Sequence, residues 1–251
     1  MKRILMAGAA LVLGGNIALA QDTSRAFSPQ QREEIVSILR EALKSDPTIL
    51  RDAIGAMQEA QRAAQEDARR EALAANRDAL FNDARDPVRG NPRGDVTIVE
   101  FFDARCGYCK LLHPTMDQLL KADPGIRVVL KDLPILGPAS VTASKALLAA
   151  QKQGKYLPFQ DALMRLRGEP TEATLKTEAE RAGLDWARIK RDMEDPEIAR
   201  RLAGNLALAQ ALSIEGTPAI VVGDRLVPGA VDLETLKQLV AEARQQPRSG
   251  G

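Results

Sequence analysis

The spacing of apolar residues divides the chain near residue 95. Before that point apolar residues recur with the period of a helix, and after it short apolar runs alternate with helical segments. The pattern predicts a first helix from Ser28 to about Leu43, in which Ser28 caps and Pro29 takes the first helical position. Pro47 opens a second predicted helix that continues to about Phe81. Large apolar residues recur in its first part, whereas alanine and charged residues of both signs predominate after residue 60.

The second part of the chain is predicted to be an α/β domain. Prolines, glycines and other turn-forming residues gather over residues 82–94, so we interpret this stretch as a linker between a helical segment (21–81) and a domain (95–251). A strand, a helix and a strand then form a βαβ unit, residues 139–212 have the pattern of consecutive helices, and a hairpin and a last helix follow. The predicted strands are Val96–Phe102, Ile126–Asp132, Pro218–Gly223 and Arg225–Pro228.

The two N-terminal helices carry too little apolar bulk to form a core of their own, because a helix with one apolar stripe must bury it against another surface. Two arrangements are open: a spacer folded against the α/β domain, or an association segment that packs between chains. We favour association, although the heptad signal is too short and too rich in alanine to fix the number of chains. The apolar positions concerned are Ile35, Ile38, Leu39, Leu43, Leu50, Ile54 and Met57.

The first twenty residues have the pattern of a secretory signal peptide. Lys2 and Arg3 precede an apolar stretch, and Ala18-Leu19-Ala20 supplies small residues where a signal peptidase cleaves. The alternative is an uncleaved anchor, but the apolar run is shorter than the ~20 residues of a spanning helix. We therefore expect export to the periplasm, where disulfides form and persist.

The charge of the chain does not indicate a binding partner. The chain carries 35 basic and 34 acidic side chains, well interspersed, for a formal net charge of +1. No field of one sign is strong enough to indicate nucleic acid or an anionic membrane, and no nucleic-acid partner is expected.

The chain has two cysteines, Cys106 and Cys109, which stand between an apolar strand and a predicted helix in the redox form of the CxxC motif. A disulfide closing so short a loop would stabilise the fold little, so a catalytic pair is the better interpretation. Cys106 falls at the first turn of the helix, where unpaired N–H groups and the helix dipole favour a thiolate, and we expect it to attack disulfides. Cys109, shielded one turn along, is expected to resolve the mixed disulfide.

A metal site is not predicted. A closed zinc site needs four ligands, whereas the chain offers two thiols and one histidine, His113. We expect no metal and no cofactor, and we interpret His113 as a surface or packing residue. Lys110 adds a cation beside the cysteines.

Glu100 stands within the apolar strand, six residues before Cys106. A carboxylate there is costly unless it is partnered or functional. In one interpretation burial raises the pKa of Glu100, which then takes the proton of Cys109 during resolution. In the other Glu100 points to an edge of the sheet and is solvated. We favour the first.

Gly216-Thr217-Pro218 precedes a predicted strand, where proline is tolerated at the first position. Proline also tolerates a cis peptide bond, which would expose the backbone of Thr217. An ordinary trans proline is the alternative, but the CxxC motif elsewhere in the chain favours the cis form.

Together these residues resemble the secreted DsbA-like branch of the thioredoxin superfamily. The resemblance covers about residues 95–243 and is carried by Glu100, Cys106–Lys110 with Pro114, the run Gly216–Ala219 and the helical insertion. It is closest to the suppressor-of-copper-sensitivity protein C group, whose members have N-terminal oligomerisation helices. The resemblance implies a thioredoxin fold with an inserted helical domain that caps the site. It implies a nucleophile and a resolving thiol, Cys106 and Cys109, and substrate contacts at Gly107, Tyr108, Thr217 and Pro218.

The resemblance also bears on the direction of the reaction. The dipeptide Gly107-Tyr108 is similar to that of disulfide isomerases rather than to the Pro-His of the strong oxidase. We therefore expect a periplasmic isomerase or reductase of exported cysteine-containing proteins, served by a membrane thiol-disulfide electron-transfer protein. It is expected to work as a homo-oligomer, with a trimer favoured.

Three alternatives remain. One is a DsbA-like oxidase, because redox poise depends on how well the thiolate is stabilised. Another is a copper-tolerance protein that binds Cu(I) through both thiolates, which suit soft metals. The third is a scaffold whose N-terminal helices matter more than its thiols.

Overall fold

The structure is a computed structural model, and it describes residues 27–245. The predicted signal peptide, residues 1–20, lies outside the described residues. The described chain divides into two compact units, residues 27–61 and residues 62–245, and each is described by itself.

The first unit consists of α1 (Pro29–Ser45) and the beginning of α2 (Thr48–Ala75). The predicted cap is confirmed, because Gln31 N donates to Ser28 Oγ at 3.2 Å and Ser28 N donates to Gln31 Oε1 at 2.8 Å. Within the described chain, α1 has no buried residue. The seven apolar side chains singled out in the sequence are all between 38% and 62% exposed, so this unit leaves its apolar stripe uncovered.

The second helix ends earlier than predicted. The prediction of one helix to Phe81 is wrong, because α2 ends at Ala75 and a separate short helix, α3 (Arg77–Phe81), follows. At the break, Asn76 has φ −106° and ψ 15°, and its side-chain amide donates to the carbonyl of Ala72 at 2.8 Å. An asparagine side chain that bonds to the backbone competes with the helical ladder and ends it here.

The second unit is built around a five-stranded sheet of order β1-β3-β2-β4-β5. Only β2 and β3 run parallel, which confirms the βαβ unit. All four predicted strands agree with or lie within their predicted bounds, and β1, which falls inside the predicted linker, was not predicted. Its three residues pair antiparallel with β3 at the sheet edge, too short a run for a periodic signal. The strands are β1 (Val88–Gly90), β2 (Val96–Phe102), β3 (Ile126–Asp132), β4 (Ala219–Val222) and β5 (Arg225–Pro228).

Within the described chain, seven helices follow β2, in addition to the end of α2 and to α3, which also belong to this unit. One connects β2 to β3, five are inserted between β3 and β4, and one follows β5, which confirms the α/β fold with a helical insertion. They are α4 (Gly107–Ala122), α5 (Pro138–Gln151), α6 (Tyr156–Arg165), α7 (Glu172–Arg181), α8 (Trp186–Asp192), α9 (Pro196–Ala211) and α10 (Leu233–Gln245).

The side chains of the central strand, β2, point alternately into two hydrophobic cores, one on each face of the sheet. Ile98 and Phe102 of β2 belong to the core that includes α4, α5, α6 and α10. Val99 and Phe101 belong to the core on the other face, with residues of α3 and α9. Because side chains two apart share a face, Glu100 is directed to the α4 side.

Candidate active site

The two cysteines lie where β2 gives way to α4. Cys106 is the residue before the first turn of α4, with φ −65° and ψ 120°, and Cys109 lies within that turn. Both are free thiols; Cys106 is 7% exposed and Cys109 is fully buried. Cys106 is therefore the thiol nearer to solvent, as the sequence predicts for the attacking residue.

Thr217 and Pro218 lie directly against the dithiol. The Thr217–Pro218 peptide bond is cis, and the Cys106 thiol donates to the Thr217 carbonyl oxygen at 3.1 Å. The sheet brings them together, since Ala219 of β4 is paired with Phe101 of β2. The structure thus joins the two motifs that the sequence places more than a hundred residues apart.

Asp103 organises the loop before the cysteines, a role that the sequence analysis missed. It is fully buried, and its carboxylate accepts from Arg105 N at 2.8 Å and from Leu136 N at 3.1 Å. Its carbonyl accepts from Cys106 N at 3.0 Å. An aspartate directly after a buried strand is a typical turn-forming residue, and this is the signal that was available.

Two cations join the site to the inserted region. The Arg105 guanidinium donates to the Leu136 carbonyl and pairs with Glu169. Lys110 Nζ donates to the Leu166 carbonyl at 2.7 Å, and partial burial lowers the pKa of Lys110. These contacts join the active-site loop and the start of α4 to the segment that precedes α5 and to the segment that follows α6.

Burial makes Cys109 a poor acid on its own. It raises the pKa of the Cys109 thiol well above its usual range, and the neighbouring Cys106 and Glu100 add to this effect. Any attack by Cys109 on another sulfur therefore requires that its proton be removed first.

Glu100 of β2 is one of the groups that act electrostatically on Cys109. It is 4% exposed in the central strand, so the alternative of a solvated edge position is wrong. Burial raises its pKa to about 7, while the nearby His113 and Arg89 oppose the rise. At neutral pH the carboxyl can therefore both accept and release a proton.

A charged cluster lies next to Glu100 and was not predicted. His113, interpreted from sequence as a surface or packing residue, is buried, and its Nε2 is 3.2 Å from an Asp161 oxygen. Arg89 donates to Asp117 at 2.9 Å and also pairs with Asp161. These partners come from β1, α4 and α6, so no local window of sequence contains them.

The surface around Cys106 is open and apolar. A side chain added at Gly107 would meet no atom of the described chain within 4 Å. Tyr108 and Leu111 are 67% and 65% exposed. Ile135 and Leu136, on the loop that Asp103 and Arg105 hold, are also exposed. These four apolar residues form what we call the apolar rim.

A family model described as a DSBA-like thioredoxin domain matches residues 97–241. The chain belongs to this DSBA-like thioredoxin family. It is thus a DsbA-like thiol:disulfide oxidoreductase whose CxxC pair is Cys106 and Cys109. Between residues 27 and 245, no helix combines the length and apolar character needed to cross a membrane.

Solved structures agree with this assignment of the DSBA-like chain. A thioredoxin-like oxidoreductase from Silicibacter pomeroyi is 47% identical with a TM-score of 0.67, over 68% of this chain and 99% of that one. ScsC from Proteus mirabilis, in a transitional conformation, is 33% identical with a TM-score of 0.65, over 87% of this chain and 99% of that one. The match to ScsC extends over the N-terminal helices and confirms the resemblance drawn from the sequence.

One curated relative is much longer than the part that this chain matches. An Na⁺/H⁺ antiporter of Salinispora tropica is 34% identical over 172 residues, which are 66% of this chain and 26% of the antiporter. The chain thus spans about a quarter of the length of this relative.

Proposed function

We propose that this oxidoreductase is a periplasmic disulfide isomerase and reductase of exported cysteine-containing proteins, working as a homo-oligomer. The observation that carries the proposal is the uncovered apolar stripe of the first unit, in a chain whose other unit holds a dithiol beside an open apolar rim. Association through the stripe would place several such sites around one substrate. Isomerisation benefits from this because it requires prolonged contact with an unfolded chain.

The first chemical step belongs to Cys106. Its thiolate attacks a substrate disulfide, a bond forms between Cys106 and one substrate sulfur, and the other sulfur leaves as a thiolate. In isomerisation the released thiolate attacks another disulfide of the substrate, and a substrate thiolate finally displaces Cys106 with no net oxidation. The open position of Gly107 leaves room for substrate chain at this step.

The second step belongs to Cys109 and Glu100. Cys109 gives its proton to the Glu100 carboxylate and attacks the Cys106 sulfur, and the substrate leaves as a thiolate. The substrate disulfide gains two electrons and the Cys106–Cys109 pair is oxidised. A membrane thiol-disulfide electron-transfer protein would then reduce the pair again.

Substrate binding is assigned to the residues around Cys106. Thr217 presents its carbonyl beside the thiol, and Tyr108 and the rest of the apolar rim offer exposed apolar surface to an unfolded polypeptide. Apolar side chains of unfolded proteins are the partners that such a surface would bury. Gly107 and Pro218 shape this surface through the backbone.

Association is assigned to α1 and the beginning of α2. Exposed apolar patches of this kind mark protein interfaces. The similarity to ScsC, which extends over these helices, supports the assignment, and a trimer remains the favoured number.

The test compares the full mature chain with a variant lacking residues 21–60. We expect the full chain to be an oligomer by light scattering and to reactivate scrambled ribonuclease, with a redox potential on the reducing side of the strong oxidase. The deletion variant should be a monomer that still reduces insulin but reactivates ribonuclease more slowly. A strongly oxidising protein that is inert toward scrambled ribonuclease would instead favour the oxidase, and a monomeric full chain would remove the basis of the association proposal.

Two variants make the comparison specific. Cys106→Ser should abolish all exchange. Cys109→Ser should retain part of the reactivation, because isomerisation can proceed without the resolving thiol, but it should lose insulin reduction. Titration of the reduced protein with Cu(I) against a chelator tests the copper alternative, which tight binding without any thiol exchange would favour.

A further inference from the structure

Arg105 directly precedes Cys106, and its side chain contacts the inserted region. Its backbone N–H donates to Asp103 Oδ1 at 2.8 Å. Its guanidinium donates to the carbonyl oxygen of Leu136 and pairs with Glu169. The Arg105 side chain is only 25% exposed. One residue beside the dithiol thus contacts both the segment that precedes α5 and the segment that follows α6.

The segment that precedes α5 carries half of the apolar rim. Ile135 and Leu136 are 39% and 44% exposed, and they lie between the end of β3 and Gly137. At the β3 end this segment is fixed, because Leu133 N donates to the carbonyl of Phe102 at 2.8 Å. At the other end Gly137 has φ +102°, a conformation that glycine adopts without strain. The rim residues are therefore held firmly on one side and are followed by a permissive residue on the other.

We propose that Arg105 is a positioning residue for protein substrates: by binding the Leu136 carbonyl it holds Ile135 and Leu136 in the place where they contact an unfolded chain bound at Cys106. The inference rests on the proposed role of the apolar rim in substrate binding. It adds the residue that fixes one half of this surface relative to the dithiol.

Two hydrogen bonds hold the Leu136 backbone, and different side chains supply them. Leu136 N donates to Asp103 Oδ2 at 3.1 Å, whereas the Leu136 carbonyl accepts from Arg105. An ionised carboxylate has no proton to donate, so Asp103 cannot replace Arg105 at the carbonyl. Loss of the guanidinium therefore leaves the amide of Leu136 anchored and releases its carbonyl, next to Gly137.

Glu169 directs the guanidinium toward this carbonyl. A guanidinium is a planar fork with donors in fixed directions, so an ion pair on one arm orients the other arm. In Arg105 one arm pairs with Glu169 and the other donates to Leu136. Because the Glu169 side chain is 59% exposed, its contribution should be smaller than that of Arg105 itself.

The kinetics of the full mature chain with two substrates test the proposal. Arg105→Gln should raise the KM for scrambled ribonuclease about three- to fivefold, the loss expected when one leucine contact is weakened, and should leave kcat near the wild-type value. The rate with glutathione disulfide should change little, because this substrate is too small to reach the rim. Glu169→Gln should shift the KM in the same direction by less. Arg93→Gln, at an exposed arginine on the turn before β2, is the control and should match the wild type.

Two further variants separate positioning from the charge of Arg105. Arg105→Lys keeps the charge and a donor for the Leu136 carbonyl, so it should restore most of the wild-type KM. In a variant with both Ile135→Ser and Leu136→Ser, which lacks the side chains that Arg105 positions, Arg105→Gln should raise the KM no further. A further rise in that background would overturn the proposal. If the two serine substitutions alone leave the KM unchanged, the rim is not the binding surface and the proposed function fails at that point instead.

Hydrogen exchange gives a readout that does not depend on the reaction. Mass spectrometry of the folded protein should show faster exchange of the amides of residues 135–137 in Arg105→Gln, and unchanged exchange in β2. Unchanged exchange of residues 135–137 would contradict the positioning role. An equal loss of rate with scrambled ribonuclease and with glutathione disulfide would also overturn it, because Arg105 would then act on Cys106 itself. If Arg105→Gln does not fold, Glu169→Gln and Arg105→Lys give the same comparisons.

Discussion

The Cys106 thiol donates a hydrogen bond to the carbonyl oxygen of Thr217 across 3.1 Å, although the two residues are 111 positions apart. The bond holds the Cys106 sulfur at the boundary between the protein and solvent, while Cys109 is fully buried. The two thiols of one motif are therefore in different environments, and they should behave differently toward reagents.

Alkylation should distinguish the two thiols. We expect iodoacetamide to modify Cys106 alone in the reduced protein at pH 7, because Cys109 is fully buried and its pKa is raised by burial. Peptide mass spectrometry locates the modified residue, and Cys109 should react only after unfolding. Cys106→Ser is the control and should remain unmodified in the folded state. Equal labelling of both thiols would contradict the shielding of Cys109.

Glu100 should make the stability of the reduced protein depend on pH. The folded state holds its proton up to a pKa of about 7, against 4.5 for an ordinary glutamate, so the free energy of unfolding falls as pH rises through this window. Glu100→Gln removes this loss and should stabilise the protein by up to about 3 kcal/mol at pH 8 and by little at pH 4.

Urea unfolding followed by the fluorescence of Trp186, the single tryptophan, measures this effect. Glu59→Gln alters an exposed glutamate of α2 and should leave the pH dependence as it is in the wild type. A variant at Glu100 with the wild-type pH dependence would show that this carboxyl is ionised normally in the folded protein.

A buried ion pair should be important for stability. Lys131 of β3 is 2% exposed, and its ammonium donates to the Ala79 carbonyl at 2.6 Å and pairs with Asp86. Lys131→Met removes the nearer of two cations beside the buried Asp86 carboxylate, since Arg201 remains at 3.7 Å, and should cost up to roughly 3–5 kcal/mol in urea unfolding. Arg225→Gln breaks an exposed pair with Glu242 and should cost less than about 1 kcal/mol. Similar losses for the two variants would contradict the importance of burial.

The apolar rim should matter for protein substrates and not for small ones. Leu111→Asp places a charge where an unfolded chain would bury an apolar side chain, and losing roughly 1 kcal/mol of apolar contact should raise the KM for scrambled ribonuclease about fivefold. The rate with glutathione disulfide should change far less. Leu206→Asp alters an exposed leucine of α9 and serves as the matched control. If both leucine variants raise the KM equally, the rim is not the binding surface.

Local patterns predicted most of the second unit. The bounds of β2, β3 and β5 agree with the predicted strands, because each is a short apolar run between turn-forming residues. Failures occurred where local signals conflict or are too short: Asn76 ends a helix within an otherwise helical pattern, and β1 has three residues.

Sequence patterns selected the candidate site residues but only part of their surroundings. The CxxC pair, Glu100 and the Thr217–Pro218 motif were recognised because each has a signature within a few residues. Asp103 and the partners of His113 were missed, because their contacts join segments tens of residues apart.

The sequence by itself determined the fold class, the dithiol and the position of Glu100 within an apolar strand, since periodicity and motif spacing are properties of neighbouring residues. The tertiary structure decided what those residues face. It placed β2 at the centre of the sheet, which buries Glu100, and it packed α4 beside α6, which pairs His113 with Asp161. The free energy of a charge depends on burial and on partners brought from elsewhere in the chain, and only the folded arrangement specifies both.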